Sequence, residues 1–76
     1  MVQIDRELDA RGLNCPLPLM KAKKAMGEMQ AGQVLRVVAT DSGSMPDIRA
    51  FALQAGHEVI EQRNEGKEYI HILRHA

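Results

Sequence analysis

The sequence predicts an α+β fold, a two-layer sandwich in which two helices cover one face of a four-stranded mixed sheet in the order βαβαββ. Three observations carry that expectation. Residues 16–30 and 45–55 place apolar side chains at helical spacing. Residues 34–40 form an apolar, mostly β-branched run, and a shorter alternating stretch at 3–9 precedes the first helix. Residues 57–63 and 67–74 read as a hairpin about Asn64-Glu65-Gly66. At 76 residues the chain is expected to form one domain spanning 1–76, with a small margin of stability.

The first strand, 3–9, alternates Ile4 and Leu8 with charged neighbours, and a loop carrying Gly12 follows at 10–14. The first helix begins with two prolines. Proline suits a first helical turn, where N–H groups lack intrahelical partners. Pro16 and Pro18 are therefore expected at N1 and N3, with Cys15 near the N-cap. On a wheel of about 100° per residue, Leu19, Ala22, Met26 and Met29 share one side, with Ala25 at its edge, and form the core face. Lys21, Lys24 and Glu28 mark the opposite side, and Leu17 and Met20 fall close to those lysines. Gly32 provides the stop.

The strand at 34–40 carries Val34, Leu35, Val37 and Val38, so both of its faces are expected to be largely buried. Asp41-Ser42-Gly43 reads as a turn. Ser44 with Asp47 three residues on resembles a capping box, with Pro46 tolerated in the same turn. Ile48, Phe51, Ala52 and Ala55 give the second helix its apolar face, and Gly56 ends it. A right-handed crossover between the first two strands places the first helix in the helix layer. Cys15 then lies at the carboxyl end of the first strand, where open α/β sheets carry their sites.

Composition narrows the function classes. Acidic and basic residues balance at ten each, and Phe51 and Tyr69 are the sole aromatics, so direct nucleic-acid binding is not expected. Neither G-x-x-x-x-G-K-[ST] nor G-x-G-x-x-G occurs, and no cofactor is expected. His57, His71 and His75 lack ligand spacing, and Met26 and Met29 read as core fillers, so no metal is expected. The start, Met1-Val2-Gln3-Ile4-Asp5, has no basic segment followed by an apolar one, and no stretch reaches the length of a membrane span. Together with a lone thiol these features lead us to expect a cytoplasmic protein without membrane association.

Cys15 is the only cysteine, within Gly12-Leu13-Asn14-Cys15-Pro16-Leu17-Pro18. The positive end of a helix favours a thiolate and lowers a cysteine pKa from about 8.5. With two prolines removing donors, the N–H groups of Leu17 and Leu19 are expected to face the sulfur. A free cysteine is commonly a small buried hydrophobe, but here prolines fix it on a loop at a helix start, which favours a reactive thiol. Leu17 and Met20 beside it suggest a contact patch for partners, with tucking against the 10–14 loop as the other reading. Lys21 and Lys24 are candidates for docking an acidic partner, and Arg11 for steering an anionic sulfur species. Asp41 and Asp47 line the approach to the thiol, Asp47 chiefly as a helix cap.

The stretch Leu8-Asp9-Ala10-Arg11-Gly12-Leu13-Asn14-Cys15-Pro16-Leu17-Pro18 resembles the C-P-x-P signature of the TusA/SirA family of small sulfur carriers. The likeness extends over the whole chain, through Met29-Gln30-Ala31-Gly32, Asp41, Asp47-Ile48 and Gly56-His57-Glu58. It implies a βαβαββ sandwich, a persulfide on Cys15 supported by Asn14, Pro16, Leu17, Pro18 and Leu19, and no turnover without partners. The implied partners are a donor such as a cysteine desulfurase or rhodanese and a DsrE/TusD-like acceptor. Members serving tRNA thiolation often carry an acidic residue where this chain has Leu17, and a basic one where it has Pro46. Sulfur oxidation, general sulfane-sulfur trafficking and tRNA thiolation stay open as pathways. A non-catalytic regulatory module is the alternative from another class.

Overall fold

Strand alternation decides which side chains meet the helices. The computed structural model describes residues 2–76. It contains β1 (Arg6–Ala10), α1 (Leu17–Gly27), β2 (Val34–Ala39), α2 (Ser44–Ala55), β3 (Glu58–Glu65) and β4 (Glu68–Arg74). The sheet order is β1-β2-β4-β3. β1 runs parallel to β2, and the β2–β4 and β3–β4 pairs are antiparallel. The expected α+β sandwich, with a four-stranded mixed sheet, is therefore present.

Leu35, Val37 and Ala39 of β2, Leu73 of β4 and Ala10 of β1 form one cluster with Ala22, Ala25, Met26 and Met29 and with Ile48 and Ala52 of α2. Each large aliphatic side chain fully buried there contributes about 1.5–3 kcal/mol, and the alanines let the helices approach the sheet closely. The other sheet face carries ion pairs, Arg36–Glu7, Arg63–Glu61 and Arg74–Glu58. Val34 and Ile70 on that side are nonetheless buried. Ile70 lies between Val38 and Arg63 in the register, and long arginine stems can cover such a residue while their heads stay in water.

Several boundaries move for identifiable reasons. β1 starts at Arg6 rather than at residue 3, because the Asp5 carboxylate accepts the Val34 N–H at 2.8 Å and the Asp5 N–H donates to the Val34 carbonyl at 2.9 Å. That closed pair ends the ladder. α1 starts at Leu17, with Pro16 as its N-cap, so Pro18 is the second helical residue and Cys15 precedes the cap. It stops at Gly27 rather than near residue 30, where Glu28 and Met29 donate to the carbonyls of Ala25 and Met26 and tighten the final turn.

α2 begins at Ser44 with Gly43 as its N-cap, and the expected capping box is not formed. Gly56 does end α2, at φ 82°, a left-handed conformation that glycine adopts without steric penalty. β3 continues through Glu65, beyond the expected turn, because the Asn64 side-chain amide donates to the carbonyls of Gly66 and Glu68 and shifts the turn one step on. Among the described residues, no helix is long and apolar enough to cross a membrane.

Candidate functional site

The loop after β1 is pinned before it reaches the cysteine. The Gly12 N–H donates to Thr40 Oγ1 at 2.8 Å, which ties the loop to the end of β2. The Leu17 N–H donates to the Asn14 carbonyl at 2.8 Å and folds the chain into the helix start. The Cys15–Pro16 peptide is cis. Pro18 is buried and anchors the first turn, while Cys15, Pro16 and Asn14 remain exposed. Leu19 is half-buried against the core.

The segment between β2 and α2 closes on the thiol from the other side. The Cys15 Sγ–H donates to Asp47 Oδ2 at 3.0 Å. Gly43 stands directly alongside. A Cβ there would lie 3.5 Å from Cys15 Cβ, 3.7 Å from Sγ and only 2.9 Å from Asp41 Oδ2. Asp41 Oδ2 is itself buried and, among the described residues, has no hydrogen-bond partner. The sulfur thus faces two carboxylates across a gap that only glycine keeps open.

The electrostatics reverse the sequence expectation. The hydrogen bond to Asp47 holds the Cys15 thiol pKa above its ordinary value, with smaller contributions in the same direction from desolvation and from the charges of Asp47 and Asp41. The helix end cannot offset this, because the Leu17 N–H is taken by Asn14 and the prolines have none. Of the two amides expected to face the sulfur, Leu19 alone has no backbone acceptor among the described residues. At rest the group is therefore a protonated, hydrogen-bonded thiol rather than a thiolate.

Leu17 and Met20 are 45 % and 57 % exposed, an apolar pair on the turn that follows Cys15, and neither tucks against the loop. Lys21 and Lys24 instead line a groove with Arg6, Leu8, Ala25 and Glu28 along the β1 edge. Arg11 binds Asp9 through Nε at 2.9 Å and reaches Glu68 at 3.4 Å. It is committed to the sheet edge and not aimed at the sulfur. Asp47, expected chiefly as a cap, makes no side-chain cap and serves the thiol instead.

A buried polar chain behind the site escaped sequence reasoning. Gln62 Nε2 donates to the Met45 carbonyl at 2.9 Å and sits 3.0 Å from His71 Nδ1. With Gln62 as donor, His71 Nδ1 accepts, and its Nε2–H donates to Ser44 Oγ at 3.1 Å. His71 is fully buried, and burial pushes its pKa down to about 4. The network clamps the first turn of α2, and with it Gly43 and Asp47, to the β3–β4 hairpin. The one available signal was that Gln62 and His71 both fall on inward positions of a predicted hairpin; the register pairs them directly. Ser44 matches a local cap in sequence, but its partner lies 27 residues away.

A family model described as sulfurtransferase TusA matches residues 6–75. The sulfur carrier protein TusA of Allochromatium vinosum is 50 % identical over 74 residues, covering 97 % of each chain. A putative sulfur carrier protein of Bacillus subtilis, YrkI, is 48 % identical over 62 residues, which are 82 % of this chain and 83 % of the relative. The crystal structure of a SirA-like protein from Desulfitobacterium hafniense superposes with a TM-score of 0.78 at 29 % identity, covering 93 % of this chain and 96 % of that one.

Proposed function

The chain belongs to the TusA family and is a sulfur carrier, and from that premise we propose that Cys15 is the residue that bears the sulfur, as a persulfide. The observation that carries this reading is a solvent-exposed thiol, the only one in the sequence, held on a pinned loop beside an acceptor carboxylate. A single cysteine suits a carrier, because a second thiol nearby would expel the cargo by closing a disulfide. Cys15 attacks the sulfane sulfur of a donor persulfide, and the donor leaves as a thiol. A thiol of the acceptor then attacks the terminal sulfur and regenerates Cys15. Asn14, Pro16 and Pro18 fix the loop, Leu17 and Leu19 continue it into α1, and no cofactor or metal enters the relay.

Transfer to partner proteins is inherent in a sulfur carrier. We assign the donor to a cysteine desulfurase or rhodanese and the acceptor to a DsrE/TusD-like protein, with the exposed Leu17–Met20 pair as the surface they meet. A lone unpaired cysteine supports a reducing compartment, the cytoplasm. The test is intact-mass and peptide mass spectrometry after incubation with a small-molecule persulfide donor. Wild type is expected to gain one sulfur atom on Cys15, removed by reductant, and Cys15→Ser to gain none. An unmodified Cys15 that still reacts with alkylating reagent contradicts the proposal. Full cellular function of Cys15→Ser favours a regulatory module instead.

A further inference from the structure

A carboxylate against a nucleophilic thiol is an electrostatic handicap unless it handles the proton. Asp47 occupies the first turn of α2, where an acidic side chain ordinarily caps backbone N–H groups, yet α2 has no side-chain cap. The Asp47 carboxylate instead accepts one hydrogen bond, from Cys15 Sγ at 3.0 Å. That distance lies within the reach of a general base. The buried Asp41 Oδ2 lies near Gly43, adds negative charge and makes no hydrogen bond to the sulfur. Among the described residues neither Asp41 nor Asp47 makes a salt bridge; Lys21 and Lys24 line the β1 groove, and Arg11 is bound to Asp9 and Glu68. The thiolate is the nucleophile, so in this setting the proton must depart as the sulfur attacks.

We propose that Asp47 is a catalytic residue of the carrier, accepting the Cys15 proton when sulfur is loaded and returning it when sulfur leaves. The inference rests on Cys15 as the sulfur-bearing residue. In loading, the Sγ–H proton passes to Asp47 Oδ2 while Sγ forms a bond to the donor's sulfane sulfur. The donor's S–S bond breaks, and its electron pair leaves with the donor thiolate, which takes up a proton. In unloading, an acceptor thiolate attacks the terminal sulfur, the Cys15 S–S bond breaks, and the departing Sγ takes the proton from the Asp47 carboxylic acid. No net oxidation occurs in either direction. The return step matters because a thiol of raised pKa is a slow leaving group as a bare thiolate.

The test measures the rate at which Cys15 is blocked by methyl methanethiosulfonate, a neutral reagent whose attack by sulfur resembles loading. Wild type should vary less than about twofold between about pH 6 and about pH 7, because an ionised carboxylate already accepts the proton. Asp47→Asn should rise about tenfold over the same interval, following its thiolate fraction, and Asp47→Glu should restore the flat profile. A wild-type rate that itself rises about tenfold per pH unit overturns the assignment, and this holds even if a variant fails to fold. Parallel profiles in wild type and Asp47→Asn overturn it as well. Sulfur gain on Cys15 is recorded alongside: if it persists while the profiles are parallel, the role of Asp47 alone falls, and if wild type gains none, both proposals fall.

Discussion

Replacing Gly43 with alanine probes the gap beside the thiol. Gly43 has φ −63° and ψ −19°, an ordinary right-handed conformation, so alanine meets no backbone penalty there. Its effect comes from space. The new methyl would sit 2.9 Å from Asp41 Oδ2, closer than real Cβ contacts allow, and 3.7 Å from Cys15 Sγ. Asp41 Oδ2 is buried, so relief requires the Asp41 carboxylate to leave its buried position. Overpacking of this kind costs about 1–3 kcal/mol, and the lower entropy of the unfolded alanine chain returns about 0.4–1 kcal/mol. A net loss of about 1–2 kcal/mol remains, which in a domain of this size lowers Tm by roughly 5–15 °C. Persulfide loading should slow too, because an S–S bond of about 2.05 Å projects the added sulfur into the space the methyl crowds. Circular-dichroism melting gives the first quantity and mass-spectrometric loading kinetics the second. A Gly43→Ala protein with unchanged or higher Tm and normal loading refutes the claim that this gap is needed.

Three further outcomes are expected. His71, held neutral by burial with its pKa pushed down to about 4, contributes stability that is complete above its ordinary pKa of 6.5 and is lost as pH falls toward about 4; the full effect is about 3 kcal/mol. His71→Leu should flatten that part of the stability–pH curve in denaturant titrations, while losing about 2–4 kcal/mol at neutral pH as Ser44 and Gln62 lose their partner. The Cys15 pKa is raised, so its contribution is present below the ordinary thiol range and disappears as pH rises through the folded value; Asp47→Asn should lower the thiol pKa, read by thiolate absorbance, and weaken that alkaline loss. Leu17→Ser and Met20→Ser should leave stability within about 0.5 kcal/mol of wild type but slow transfer from a rhodanese, and unchanged transfer contradicts the docking assignment.

Local patterns were legible and cross-chain ones were not. The prolines at 16 and 18 announced a helix start, and the helical wheel separated Ala22, Ala25 and Met26 from exposed Leu17 and Met20, because helical period alone sets those faces. The sign of the thiol's pKa is not legible in sequence, because the helix dipole is local, whereas Asp41 and Asp47 reach Cys15 only through the tertiary fold. Ser44 and Asp47 matched a capping template at the right spacing, so nothing in sequence betrayed that Ser44 turns inward to His71 and Asp47 outward to the sulfur. The turn residues Asn64-Glu65-Gly66 announced the hairpin but left Gln62 and His71 unseen as a buried polar pair.

Heavy-isotope sulfane sulfur, loaded onto the purified protein and followed by peptide mass spectrometry, tests the sulfur-bearing role of Cys15 most directly. The account predicts that the label resides on the Cys15 peptide, leaves it when an acceptor thiol is added, and appears as that acceptor's persulfide. Label found on the acceptor with no occupancy of Cys15, or undiminished transfer by Cys15→Ser, would contradict it.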